Sequence, residues 1–127
     1  MGVRRAYDPS MAPPGPVASV VLVNHQTGER TAVLPGKVDT GSDVTIIPHD
    51  IAVRLGLELE GTAWLRSTGR RRTHHRTYYA AVEVEQHEVG VIGCVAANRD
   101  NVLLGRDILN RFILTLNGPN LTSTLER

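Results

Sequence analysis

"KVDTGSDVTIIP", residues 37–48, sets two aspartates inside a run of aliphatic and β-branched residues and interrupts that run with Thr40-Gly41-Ser42. A carboxylate among apolar neighbours is costly unless it is paired or hydrogen-bonded. Asp39 follows Val38 directly and precedes a Thr-Gly, so the local sequence predicts a strand that ends in a loop built around an acid. Gly41 allows a tight turn whose backbone N–H groups can reach that carboxylate. The Thr40 hydroxyl can lock the loop, and Ser42 can bond the carboxylate directly. A capping acid in an ordinary turn has the same three letters; the apolar residues on both sides favour an acid held in place for use.

Around this stretch the chain reads as short strands. "VASVVLVN" (17–24), a turn at His25 to Gly28 and "RTAVLPGKV" (30–38) lead into the loop, and "VTII" (44–47) leaves it. Pro48 suits the first turn of a short helix, "PHDIAVRLG", which Gly56 is placed to end. "LELEGTAWLR" (57–66) and "TYYAAVEVE" (77–85) flank a polar stretch, and "EVGVIGCVAA" and "NVLLG" follow. In the second of these, Ala80, Val82 and Val84 alternate with Ala81, Glu83 and Glu85, the period of a half-buried strand whose glutamates face outwards. "RDILNR" predicts a helical turn before "FILTL" and "NLTSTLE". The fold class is mostly β, a barrel or sandwich with one or two short helices.

At 127 residues the chain is most simply one domain. Residues 1–16, with four of the seven prolines, read as a flexible or extended arm, and 17–127 as the folded domain. Within the arm, Arg4-Arg5-Ala6-Tyr7 is expected to be exposed. With one Trp and one Phe, the core must be aliphatic. A net charge of +1 argues against a dedicated nucleic-acid binder. The single cysteine, Cys94, excludes an internal disulfide and multi-cysteine metal sites, and reads as a small buried hydrophobe. No apolar run has the length of a membrane span and no signal-peptide core is present, so a cytoplasmic protein is expected.

Asp39-Thr40-Gly41-Ser42 resembles the catalytic loop of aspartic proteases, and the following "DVTIIP" resembles the single-domain retropepsins. Further matches accompany it: strands before it, a helix of the "LGL" type after it, and "VLLGRDIL" (102–109) about sixty residues downstream. In that family a strand ending in Gly threads behind the catalytic loop, where Gly105 would allow close backbone approach. The resemblance covers roughly residues 17–126 and implies a closed acid-protease β-barrel. It implies Asp39 as the catalytic acid-base, Thr40 and Gly41 as loop builders, and Ser42 and Asp43 at the substrate. Leu104, Gly105 and Arg106 would support the site. An Asp43–Arg106 pair is expected, either holding the cleft wall or as a purely structural salt bridge. Asp107 and Arg111 are expected to serve the second helix, one near each end.

"STGRRRTHHR" (67–76) would be the flap, with Thr68 and Gly69 at the substrate. The family's flap is often Gly-rich and apolar, whereas this one carries Arg70, Arg71, Arg72, His74, His75 and Arg76. Such a charge run reads first as a solvated loop; a basic lid favouring acidic substrates or anionic partners is the other reading. His74 and His75 do not make a metal site, because neighbours on a strand point to opposite faces.

The mechanism implied needs two carboxylates, and no other aspartate of the chain is followed by Thr-Gly or Ser-Gly. A homodimer acting on polypeptide substrates is therefore expected, without metal, organic cofactor or nucleic acid. "FILTL" and "NLTSTLE" are its candidate interface, and the N-terminal arm is free to join them or stay loose. The rival reading is the same fold kept as a non-catalytic dimerisation or peptide-binding module.

Overall fold

The structure is a computed structural model that describes residues 2–66, 69 and 71–127. Among the described residues the chain forms ten strands and two short helices. In order these are β1 (Val3–Ala6), β2 (Val17–Val23), β3 (Leu34–Val38), β4 (Ile46–Pro48), α1 (His49–Arg54), β5 (Leu59–Arg66), β6 (Arg72–Val84), β7 (His87–Ala97), β8 (Val102–Leu104), α2 (Arg106–Leu109), β9 (Ile113–Asn117) and β10 (Thr122–Glu126).

Seven strands run in the order β2-β3-β8-β4-β7-β6-β5, and a further β2–β6 pairing closes six of them into a barrel. The expected mostly β fold, a closed barrel with two short helices, is what forms. β2 turns Ala18, Val20 and Leu22 inwards, and β6 does the same with Ala80, Val82 and Val84. They meet Ile47, Cys94, Val102, Leu104 and Ile108 in one aliphatic core. Each fully buried Leu or Ile contributes about 2–3 kcal/mol of hydrophobic stabilisation. Burial also pushes the Cys94 thiol well above its ordinary range, with the charges of Asp107 and Glu60 adding to the shift. Gly56, at φ +65°, stops α1.

What positions the site is the way β8 enters the barrel. It lies between β3 and β4, parallel to β3 (Val38↔Leu104) and antiparallel to β4 (Ile46↔Leu103). The two strands that flank the Asp39 loop are therefore joined through a third strand from sixty residues away. β8 is wholly buried.

Of the two courses open to the N-terminal arm, Val3–Ala6 take the one that joins the terminal strands. β1 pairs with β10 (Val3↔Leu125), and β10 with β9, in a separate three-stranded sheet. Four residues are too few for alternation to register in the sequence, and the strand exists because β10 offers it an edge. Arg4, Arg5 and Ala6 thus lie in a paired strand. Glu85, expected to face water, is 5% exposed and takes Arg5 as its partner (Nη2–Oε1, 2.7 Å). The alternation ends there because Glu85 and Gln86, both at positive φ, form the two-residue turn into β7.

β6 also begins five residues before the predicted strand, pairing with β5 from Arg66↔Arg72 onwards. Much of the polar stretch is thus a strand of a hairpin.

Candidate active site

Asp39 stands at the end of β3, half-buried, where its backbone N–H donates to the Leu104 carbonyl (3.0 Å). Its Oδ1 accepts the Gly41 N–H (3.0 Å), and the Ser42 N–H closes the turn onto the Asp39 carbonyl (3.2 Å). The backbone thus aims one donor at the carboxylate before any substrate is present. Gly41 does this without a positive φ; what its missing side chain allows is closeness, since a Cβ there would lie 3.2 Å from Asp39 Oδ1. Thr40 and Gly41 are exposed at the tip of the loop. The Ser42 hydroxyl does not reach the carboxylate: it donates to the Val44 carbonyl (2.7 Å) and braces the loop's exit.

Arg106 gathers the loop from the α2 side. Its Nη1 donates to the Thr40 carbonyl (2.7 Å), its guanidinium pairs with Asp43, and its N–H donates to the Ser42 carbonyl (2.9 Å). Asp43 is largely solvent-facing, so its ion pair is worth at most about 1 kcal/mol. Position, more than stability, is what that pair supplies.

A second tie went unseen in the sequence. Thr45 is fully buried, and both oxygens of Asp107 are turned to it: Oδ2 accepts its N–H (3.0 Å) and Oδ1 its hydroxyl (2.7 Å). The same hydroxyl accepts the Gly105 N–H (3.2 Å). Asp107 therefore fastens α2 to the segment leaving the loop, beyond serving its helix, and Arg111 reaches the Val89 carbonyl (2.9 Å). The available signal was a lone threonine in the aliphatic "VTII". Thr45→Val keeps the shape but removes the donor to Asp107 and the acceptor for Gly105. It should cost about 1–3 kcal/mol in a urea melt, and a loss below about 0.5 kcal/mol would show that the tie is idle.

Gly105 makes the approach of the two segments possible. A Cβ there would lie 2.3 Å from the Val44 carbonyl oxygen and 2.5 Å from its carbon. Arg99, also missed, is half-buried and held by Asn101 through Nε (2.8 Å to the carbonyl) and Nη2 (2.6 Å to Oδ1). Burial lowers its pKa, and the nearby Asp39 charge acts in the opposite direction. Of the residues assigned to the flap, Gly69 is exposed in a turn, and Thr68 lies outside the described residues.

Solved structures share this fold. A retropepsin-like aspartic protease from Rickettsia conorii aligns over 98% of this chain and 90% of its own, at 18% identity and a TM-score of 0.64. The protease of EIAV, solved with the inhibitor HBY-793, aligns over 74% of this chain and 85% of its own (19%, TM-score 0.57). That of simian foamy virus (mac) aligns over 75% and 92% (16%, TM-score 0.54). The fold is that of the retropepsin-like aspartic proteases. A family model described as "gag-polyprotein putative aspartyl protease" matches residues 27–111, about two thirds of the chain, and the protein belongs to that family. No match was found among curated protein sequences. Among the described residues, no helix is long and apolar enough to cross a membrane.

Proposed function

We propose that the protein is an aspartic endopeptidase that works as a homodimer, with Asp39 of each subunit facing a shared water. The observation that carries this reading is the Asp39 loop itself: a half-buried carboxylate, oriented by the Gly41 N–H and hung between β3 and β4 by β8. One carboxylate takes a proton as the water oxygen attacks the peptide carbon, while the other, protonated, donates to the carbonyl oxygen. Collapse of the tetrahedral intermediate passes a proton to the amide nitrogen and breaks the C–N bond. One chain supplies one such loop, so the second acid comes from a second copy across a two-fold axis.

Ser42 and Asp43 border the loop and are the proposed substrate contacts, and the β5–β6 hairpin is the proposed flap. The terminal sheet is the proposed interface, since β9 leaves Ile113 62% and Leu116 50% exposed. Subunit mixing tests the shared site. Wild-type protein equilibrated with a tenfold excess of Asp39→Asn should keep about a tenth of its peptide-cleaving activity, because nearly every wild-type subunit then sits in a one-acid dimer. Undiminished activity would place the whole site in one chain.

A further inference from the structure

The β5–β6 hairpin is unusual in what it turns outwards. Residues directly opposite on paired strands share a face, and the register is Thr62↔Arg76, Trp64↔His74 and Arg66↔Arg72. All six are exposed, whereas Ala63, Leu65 and His75 on the other face are half-buried. The hairpin thus presents Trp64, His74 and three arginines on one face, while on the other Thr73 is the exposed residue. Trp64, 57% exposed, stacks on His74 at 4.6 Å with 29° between the rings, and the Arg72 guanidinium lies 5.3 Å from the indole centre.

Charge is segregated here as well. Residues 61–82 hold five of the fourteen Lys and Arg residues and none of the thirteen acids. The rest of the chain, nine bases against thirteen acids, is acidic. None of the ion pairs found among the described residues involves Arg66, Arg72 or Arg76. A solvated loop has no need to concentrate its cations on one face around an exposed tryptophan.

We propose that this outer face is a docking surface for an extended acidic polypeptide segment. Arg66, Arg72 and Arg76 take its carboxylates, and Trp64 with His74 forms the platform between them. The planar guanidinium fork matches a carboxylate, and alternate side chains of an extended strand recur about every 6.6 Å on one face. β5 is also the end strand of its sheet, pairing only with β6 among the described residues. Its open edge can receive a polypeptide backbone, which a nucleic acid cannot supply. The indole, partly covered by His74 and Arg72, offers a base less stacking surface. The surface does not depend on peptide-bond hydrolysis and should persist in an inactive protein.

Trp64 is the only tryptophan of the chain and reports on its own surroundings. Full-length Asp39→Asn protein would be titrated with an alternating Glu-Thr peptide, its Gln-Thr counterpart and single-stranded oligothymidylate. Binding would be followed by Trp64 emission and by calorimetry. The Glu-Thr peptide should bind saturably and lose affinity as salt rises, and the Gln-Thr peptide should not bind. Arg66→Gln and Arg76→Gln, both exposed and remote from the core, should each weaken binding roughly three- to tenfold. Equal binding of both peptides, binding of neither, or tighter binding of oligothymidylate than of the Glu-Thr peptide would overturn the proposal.

Discussion

Asp39→Asn should abolish the proposed peptide hydrolysis, by at least about a thousandfold, while leaving the protein folded. The asparagine amide oxygen can still accept the Gly41 N–H that Asp39 Oδ1 accepts at 3.0 Å, so the loop keeps its tie. Asp39 is half-buried and carries no salt bridge among the described residues, which limits the stability change to about 1 kcal/mol. On the proposed mechanism, what is lost is the ability to take a proton from water. The check is paired: cleavage of a mixed peptide library between about pH 4 and 7, and a thermal melt of the same preparations. Cleavage by the variant at the wild-type rate would remove Asp39 from the chemistry. Loss of activity together with unfolding would mean that the acid is structural.

Gly105→Ala should be the most damaging single-methyl change in the chain. The added Cβ would meet the Val44 carbonyl oxygen at 2.3 Å, its carbon at 2.5 Å and its nitrogen at 2.9 Å, all backbone atoms with no rotamer to change. β8 would have to withdraw from the segment leaving the loop. That movement stretches the Gly105–Thr45 bond (3.2 Å) and the Asp39–Leu104 bond (3.0 Å). Overpacking and lost hydrogen bonds together come to about 3–5 kcal/mol, a large share of the roughly 5–15 kcal/mol that holds a domain folded. Activity should fall further than stability at permissive temperature, because the displaced atoms carry Asp39. Gly118→Ala is the matched control: nothing lies within 4 Å of its Cβ position, and its urea midpoint should stay at that of the wild type. If the two variants melt together, the close passage of β8 behind the loop is wrong.

Both predictions rest on features of unequal visibility. Strands β2 and β6 were legible because a two-residue period in Val, Ala and Leu has one cheap solution, a pleated strand with one face buried. The first helix was legible from Pro48, whose ring fixes φ, and from Gly56, which accepts the positive φ that other residues avoid. The loop around Asp39 was legible because an acid between aliphatic runs needs a turn to hold it. β1 was not, since four residues of strand acquire meaning only beside β10. Nor was the inward turn of Glu85, which depends on Arg5 eighty residues earlier. The hairpin's "RRRTHHR" read as solvated because composition does not say which side chains share a face; the β5–β6 register does.

By itself, then, the sequence determined the local elements and the one acid-bearing loop, because period, proline, glycine and the Asp-Thr-Gly-Ser turn act within a few residues. Only the tertiary structure decided what holds that loop. Thr45 meets Asp107, Gly105 passes behind Val44, and Arg106 clasps Asp43 and Thr40, each across sixty residues or more. Contacts at that separation form when the closed barrel brings β8 between β3 and β4. Strand pairing, acting through space, brings those partners together.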